Sequence, residues 1–270
     1  MSNSYSTIAQ NLAAVAAQAI STRLSVVAAC TAFPLEAGKL PGQQRVVSVV
    51  KSVSDTQTAD NPDYTLGDAV IAPTAINHTL YTQPFGIGND ELNQGTKLAW
   101  LYTLNGQKLA AKLSDAISSL LTTTNFGAAI VTQADASFGN QDFETLFGGV
   151  ATAGRTIILD TPYFSKVKST WLPPGFNNVL EHTRWSAAGT NVRGFVSDPA
   201  AIILSYAMPN LASPHRNVVA EAPFTIPQIG LQGAATIYFL QDTRRLMGCL
   251  SIYMGAAVGD SNALKLLVSP

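Results

Sequence analysis

A mixed α+β fold is predicted for this chain, and three features of its sequence predict it. Residues 5–29 and 90–121 repeat their apolar side chains at helical spacing. Runs rich in β-branched residues, at 45–54, at 69–81 and repeatedly after Pro209, read as strands. No linker, low-complexity tract or internal repeat divides the 270 residues, so these strands pair across long sequence distances.

The first helix carries Ile8, Leu12, Val15 and Ala19 on one face. Its sequence superficially resembles a secretion signal, but it lacks a basic start, and Gln10, Asn11 and Gln18 interrupt the apolar run. No run approaches the ~18 apolar residues of a membrane span. A soluble protein, cytoplasmic when made, is expected. A turn-rich stretch, "FPLEAGKLPGQQ", leads to the strand "RVVSVVKSVS" (45–54). Next comes "DTQTADNPDYTLGD", composed of breakers and acids and read as a hairpin tip. "AVIAPTAINHTLY" (69–81) returns as the second strand, with Pro73 marking it as bent or at an edge. Two strands of roughly 35 Å each are marginal in water without a cover, and a second subunit could provide one.

From Asp90 to Leu121 a long helix is expected, with Leu98, Leu101, Leu109, Leu113, Ile117, Leu120 and Leu121 on its stripe. Further on, 141–150 reads as a short helix, "RTIILD" as a buried strand, and "TPYFSKVKSTW" as a helix with proline near its start. Asp198 reads as the cap, and Pro199 as the first residue, of a helix over "PAAIILSYA". After Pro209 come four strands: "NVVAEAPFTI", "GAATIYFL", "RLMGCLSIYMGAAV" and "ALKLLV". The closing eighteen residues, 253–270, are mostly apolar or small. Chain ends usually fray and turn polar unless they are tied down, so this stretch is expected inside a sheet.

Composition narrows the function. Charged residues make up 12% of the chain, about half the usual share of ~25%. Either a Ser/Thr/Asn/Ala-rich surface keeps the chain dispersed, or other copies cover much of it. The net charge of −1 rules out a strongly basic protein that grips phosphates through a large positive face. Cys30 and Cys249 stand far apart without a CxxC pattern, so two buried, reduced thiols are expected rather than a disulfide or a zinc site.

Catalytic patterns are missing. There is no GxSxG, P-loop or HExxH. "FGIGND" lacks the third glycine and the βαβ setting of a dinucleotide site. His78, His182 and His215 lack metal-ligand spacing, and His78 reads as a surface or interface residue. Arg244 and Arg245 read as decoration of a hairpin turn, and no basic run interleaves with aromatics. No enzyme activity, cofactor or metal is expected, although a nonlocal triad stays open because triads are spatial. Asp55, Asp60, Asp63 and Asp68 cluster at the hairpin tip with no Lys or Arg among them. They read either as a solvated loop or as a tip that docks on a neighbouring copy, with Lys166, Lys168, Arg184 and Arg193 as partners.

The order of parts resembles a known family. "RTIILDTPYFSKVKS" is similar to its strand followed by a short helix starting at Pro-Tyr. "TRWSAAGTNVRGFVSDPAAIILSYAMP" is similar to the segment leading a strand into the axial domain through an Ala-rich helix. "ATIYFLQDTRRLMGCLSIYMGAAVGDSNALKLLVSP" is similar to its closing hairpin, turn and last strand. The chain, over about residues 5–270, thus resembles the major capsid protein of tailed bacteriophages, the Hong Kong 97-type coat fold. The resemblance implies an α+β phage coat fold with an N-arm (1–43), an extended β-hairpin loop (44–88), and a peripheral domain with a long spine helix (89–177 and 228–270). An axial domain (178–227) completes the division.

It further implies self-assembly through hexamers and pentamers into an icosahedral shell around double-stranded DNA, held without sequence-specific binding. A portal and a decoration protein are implied partners, and the short arm implies a separate scaffolding protein. Localisation would be the virion, with assembly in the bacterial cytoplasm and no membrane contact. Arg45, Lys51, Asp55, Asp60, Asp63, Asp68, Lys166, Lys168, Arg184 and Arg193 are the candidate intersubunit contacts. Some relatives cross-link a loop lysine to an asparagine. Lys51 is the only lysine of this hairpin, and no motif identifies that reaction. A nanocompartment shell of the same fold, a non-coat phage protein such as a tail tube, and a soluble enzyme with a nonlocal site are the rival readings.

Overall fold

The computed structural model describes residues 5–34, 45–52, 70–88, 94–151, 154–174, 176–209, 217–227, 230–240 and 245–270. Two helices lie against the larger of two main sheets. Helix α1 (Tyr5–Ser21) buries Ile8, Ala9, Leu12, Ala13, Ala16, Ala19 and Ile20. It ends sooner than the periodicity predicts: the Ser/Thr-rich step at 21–25 competes for backbone hydrogen bonds, as when Thr22 Oγ1 donates to the Ala19 carbonyl. A 3₁₀ segment, Ser25–Ala29, then leads into strand β1 (Cys30–Pro34). Helix α2 (Gly95–Ser118) has 24 residues and is about 36 Å long. It buries Leu98, Tyr102, Leu109, Ala110, Leu113 and Ile117. The two helices approach closely at Gly106, where a Cβ would stand 3.0 Å from Ala19 Cβ.

The hairpin pairs β2 (Arg45–Ser52) with β3 (Val70–Ile76), antiparallel. The long second strand expected over 69–81 is broken at Asn77 and His78. Beyond the break, β4 (Thr79–Ile87) leaves the hairpin to pair with a different strand. Gly255 permits this corner, because a Cβ there would lie 2.2 Å from the Asn77 carbonyl oxygen. The hairpin foot has a cover within its own chain: Val47 and Ile76 are buried with Ile203, beside Phe33, Ala200 and Ala257. Lys51 lies in β2, while Asp55, Asp60, Asp63 and Asp68 lie outside the described residues.

The second half begins with β5 (Val131–Thr132), α3 (Asn140–Gly148) and β6 (Thr156–Asp160). The helix expected over "TPYFSKVKSTW" is only one turn, Thr161–Phe164, with a second 3₁₀ turn at Ser169–Trp171. Strands β7 (Val179–His182), β8 (Val192–Ser197) and β9 (Ile202–Ala207) follow. The helix expected after Asp198 is therefore absent. Asp198 does bind a following amide (Ala200 N to Oδ1, 2.8 Å), but it closes a turn rather than capping a helix. Ile202 to Ser205 are buried on both faces as a central strand. Four strands complete the chain as expected: β10 (Asn217–Ile226), β11 (Leu231–Leu240), β12 (Arg245–Val258) and β13 (Leu264–Val268).

The six-stranded sheet runs β1-β9-β12-β11-β10, with β4 also on β12. Its edge strand β10 carries Pro223 and a bulge at Val218–Ala220, devices that blunt a free edge. The five-stranded sheet runs β5-β13-β8-β6-β7. Strand β13 is thus interior, between β8 and β5, which accounts for the apolar close of the sequence. Sheet membership groups the strands differently from the linear division into 178–227 and 228–270. β8 shares a sheet with β13, whereas β10 joins β11 and β12.

Candidate assembly surface

The basic residues singled out from sequence are mostly engaged within the chain. Arg184 makes a paired contact with Asp115 on α2, Nε to Oδ1 at 3.1 Å and Nη2 to Oδ2 at 2.6 Å. That carboxylate raises the guanidinium pKa further. Both side chains are exposed (44% and 34%), so water and salt screen the pair. Arg193 Nη1 lies 3.5 Å from Asp160 Oδ2 at the end of β6. Lys166 donates to the Asp135 carbonyl. Arg45 donates to the Pro34 carbonyl and sits over the Phe33 ring at 5.8 Å. Lys168 is exposed ahead of the second 3₁₀ turn. The structure does not gather these residues into one site; they spread over the hairpin foot and the five-stranded sheet.

Exposed apolar side chains, which the sequence reading missed, mark other surfaces. Trp100 is 68% exposed and Leu104 40%, one turn apart on α2. Lys97 and Lys108 stand on the same stripe at the i, i+3, i+7, i+11 spacing. The long helix therefore has an apolar stripe inside and a second, shorter one outside. Val218 and Val219 on β10 and Phe239 on β11 form another exposed apolar group, because Asn217 pairs with Phe239. The signal for the outer stripe was present as a tryptophan off the core stripe, and aromatic residues are enriched in interface cores.

The histidines and cysteines lie in separate surroundings. Among the described residues, no group of three or more His, Cys, Asp or Glu could hold a metal. Both cysteines are buried, and desolvation pushes the Cys30 thiol well above its ordinary pKa, which suppresses the reactive thiolate. Among the described residues, no helix is long and apolar enough to cross a membrane. His78 is half-buried and stacks on Tyr253 at 5.3 Å; His215 lies outside the described residues.

His182 comes nearest to a catalytic pair, with Ser25 Oγ 3.1 Å from Nδ1 and Ser114 Oγ 3.2 Å from Nε2. Nε2 also lies 2.9 Å from the Arg184 carbonyl, an obligate acceptor, so it carries the proton. Ser114 is fully buried, and no carboxylate orients the ring through Nδ1, so the arrangement lacks the parts of a working triad. A cleft of about 510 Å³ opens beside it, lined by Arg23, Gln107, Glu181 and Arg184 among others.

Comparison with solved structures identifies the architecture. The virus-like particle from Pyrococcus furiosus superposes with a TM-score of 0.56 at 13% identity, covering 95% of this chain and 98% of that one. A protein of Mycobacterium phage Adephagia gives 0.53 at 11% identity, over 92% and 90% of the two chains. One of Mycobacterium phage Cain gives 0.52 at 11%, over 91% and 90%. The chain has the phage coat fold. No protein-family model and no curated protein matches its sequence. At these identities the fold is shared while most side chains differ. In this fold Trp100 and Leu104 are apolar groups that the folded chain leaves outside.

Proposed function

We propose that the chain is the wall subunit of a self-assembling icosahedral shell, the major capsid protein of a double-stranded DNA phage. The observation that carries this reading is the end-to-end likeness to a virus-like particle, 95% of one chain on 98% of the other. The exposed Trp100 and Leu104, together with the low charge, add to it, since a wall subunit meets several neighbours. Contacts that close a shell are heterologous, one patch against a different one, and their total area should exceed the ~2,000 Å² typical of obligate assemblies. On this reading the subunits form hexamers and pentamers, α1 belongs to the arm, α2 is the spine, and the protein resides in the virion. The portal, a separate scaffolding protein and a decoration protein are its further partners, and the wall encloses DNA without reading it. The wall performs no catalysis.

The acidic tip, Asp55, Asp60, Asp63 and Asp68, docks on a neighbouring copy in this proposal. Lys168 is the most available of the predicted partners, because Lys166, Arg184 and Arg193 already hold groups of their own chain. Arg45 and Lys51 sit at the foot and on the shaft of the same hairpin. Electron microscopy of the expressed full chain, alone and with its neighbouring phage proteins, tests the reading. Closed particles containing nuclease-protected DNA when assembled in the phage context are expected. Particles filled with an enzyme would make it a nanocompartment wall, and a monomer at every concentration would overturn it.

A further inference from the structure

We propose that His182 is an acid-released latch between the two main sheets. It lies at the end of β7, the edge of the five-stranded sheet, and is 2% exposed. Its ring reaches Ser25, in the segment feeding β1 of the six-stranded sheet, and Ser114, on the helix packed against that sheet. The Arg184–Asp115 pair crosses the same seam two residues later, and Trp185 Nε1 donates to the His182 carbonyl at 2.7 Å. The seam is otherwise apolar: Trp185, Phe195, Leu264 and Leu266 share one core with Leu113 and Ile117. A polar knot of this kind holds one geometry only while every member is satisfied.

In the neutral ring both nitrogens have partners. Nε2–H donates to the Arg184 carbonyl, and Nδ1 accepts from Ser25. A second proton would place a positive charge in a desolvated seam beside the Arg184 guanidinium. Asp160 on β6 and Asp115 on α2 favour that charge, and Arg184 opposes it. Burial outweighs them, so the pKa falls below the ordinary value of 6.5. Arg23 and Glu181, from the 3₁₀ approach and from β7, stand on the wall of the adjoining cleft, through which water and protons reach the seam. Acid thus favours a seam opened enough to hydrate the ring. The balance shifts by up to tenfold per pH unit between 6.5 and the lowered value, because only the open form takes the proton there. The apolar contacts remain, so the sheets loosen without unfolding.

The test uses the full chain carrying Trp100→Phe and Trp171→Phe, which leaves Trp185 as the sole tryptophan beside the latch. Between pH 7.5 and 5 the expected result is a change in Trp185 emission with unchanged far-ultraviolet dichroism. Amide exchange in 179–185 and 110–118, corrected for its intrinsic pH dependence, should quicken over the same range. His182→Gln should remove the response. An equal response in His182→Gln, or none in the parent, overturns the proposal. If the glutamine variant fails to fold, the ring titration of His182 in the parent, followed by NMR, decides instead: its midpoint must coincide with the Trp185 transition, and a mismatch sinks the latch. Particle formation is not used as a readout, so the shell reading stands or falls separately.

Discussion

Gly106 on α2 stands against Ala19 on α1 so closely that a methyl group added at Gly106 would lie 3.0 Å from the Ala19 Cβ and 3.3 Å from the Ala16 Cα. Small residues on both helices set this distance, and the core beneath them is built to it. Gly106→Val should destabilise the subunit by about 1–3 kcal/mol, the usual range for overpacking. Adding Ala19→Gly should recover part of the loss, because the two sites share one contact. Urea denaturation of the single and double variants reads both effects; strict additivity would show that the contact does not limit the packing.

The turn between β8 and β9 makes a second close approach. A Cβ on Gly259 would sit 2.2 Å from the Ala200 carbonyl oxygen, which already accepts the Asp260 amide at 3.0 Å. Gly259→Ala must displace backbone, not a movable side chain. A loss of about 2 kcal/mol or more is expected, against under about 0.5 kcal/mol for Gly148→Ala, where nothing lies within 4 Å. Parallel thermal melts make the comparison.

The Arg184–Asp115 pair has short contacts but lies in solvent. A double-mutant cycle using Arg184→Gln and Asp115→Asn should return under about 1 kcal/mol in moderate salt. A coupling of several kcal/mol would mean that the pair is far less screened than its exposure implies.

Trp100→Glu tests the outer stripe of α2. The subunit should keep its melting temperature within a few degrees, since Trp100 contributes little to the core, while particle yield falls by about tenfold or more if the indole anchors a contact. Particles formed at the parent's rate would remove this stripe from the assembly interfaces.

Neutralising Asp60 and Asp63 together should slow or misdirect assembly, followed by light scattering at low salt. Identical kinetics for the double variant and its parent would retire the acidic tip as a docking element.

Long, regular segments were readable in advance. α2 announced itself through Leu98, Leu109, Leu113 and Ile117, and the four strands after Pro209 through their β-branched runs. Residues 198–207 misled because Asp-Pro before an apolar run serves helix starts and tight turns alike, and a short stretch buried on both faces has no period to betray it. The break at Asn77 was hidden for a different reason: its cause, Gly255, lies far away in the sequence. Distance also concealed the partners of the predicted contacts. Arg184 meets Asp115 and His182 meets Ser25 only after both sheets have formed. The coat architecture was recognisable from the order of elements; which charges stay free for neighbours depended on these distant pairings.

Strand β13 lies between β8 and β5, with Leu267 beside Val131 and Leu264 beside Ser197. During synthesis both neighbours leave the ribosome before it does, so β5 has no ladder partner and β8 keeps one side open until residues 264–268 emerge. A nascent chain halted upstream of Leu264 would carry two unpaired backbone edges and a cleft where three leucines belong. Translation thereby acts as a timer: one of the two sheets is finished only once residues 264–268 have emerged, long after β5 and β8 have been made.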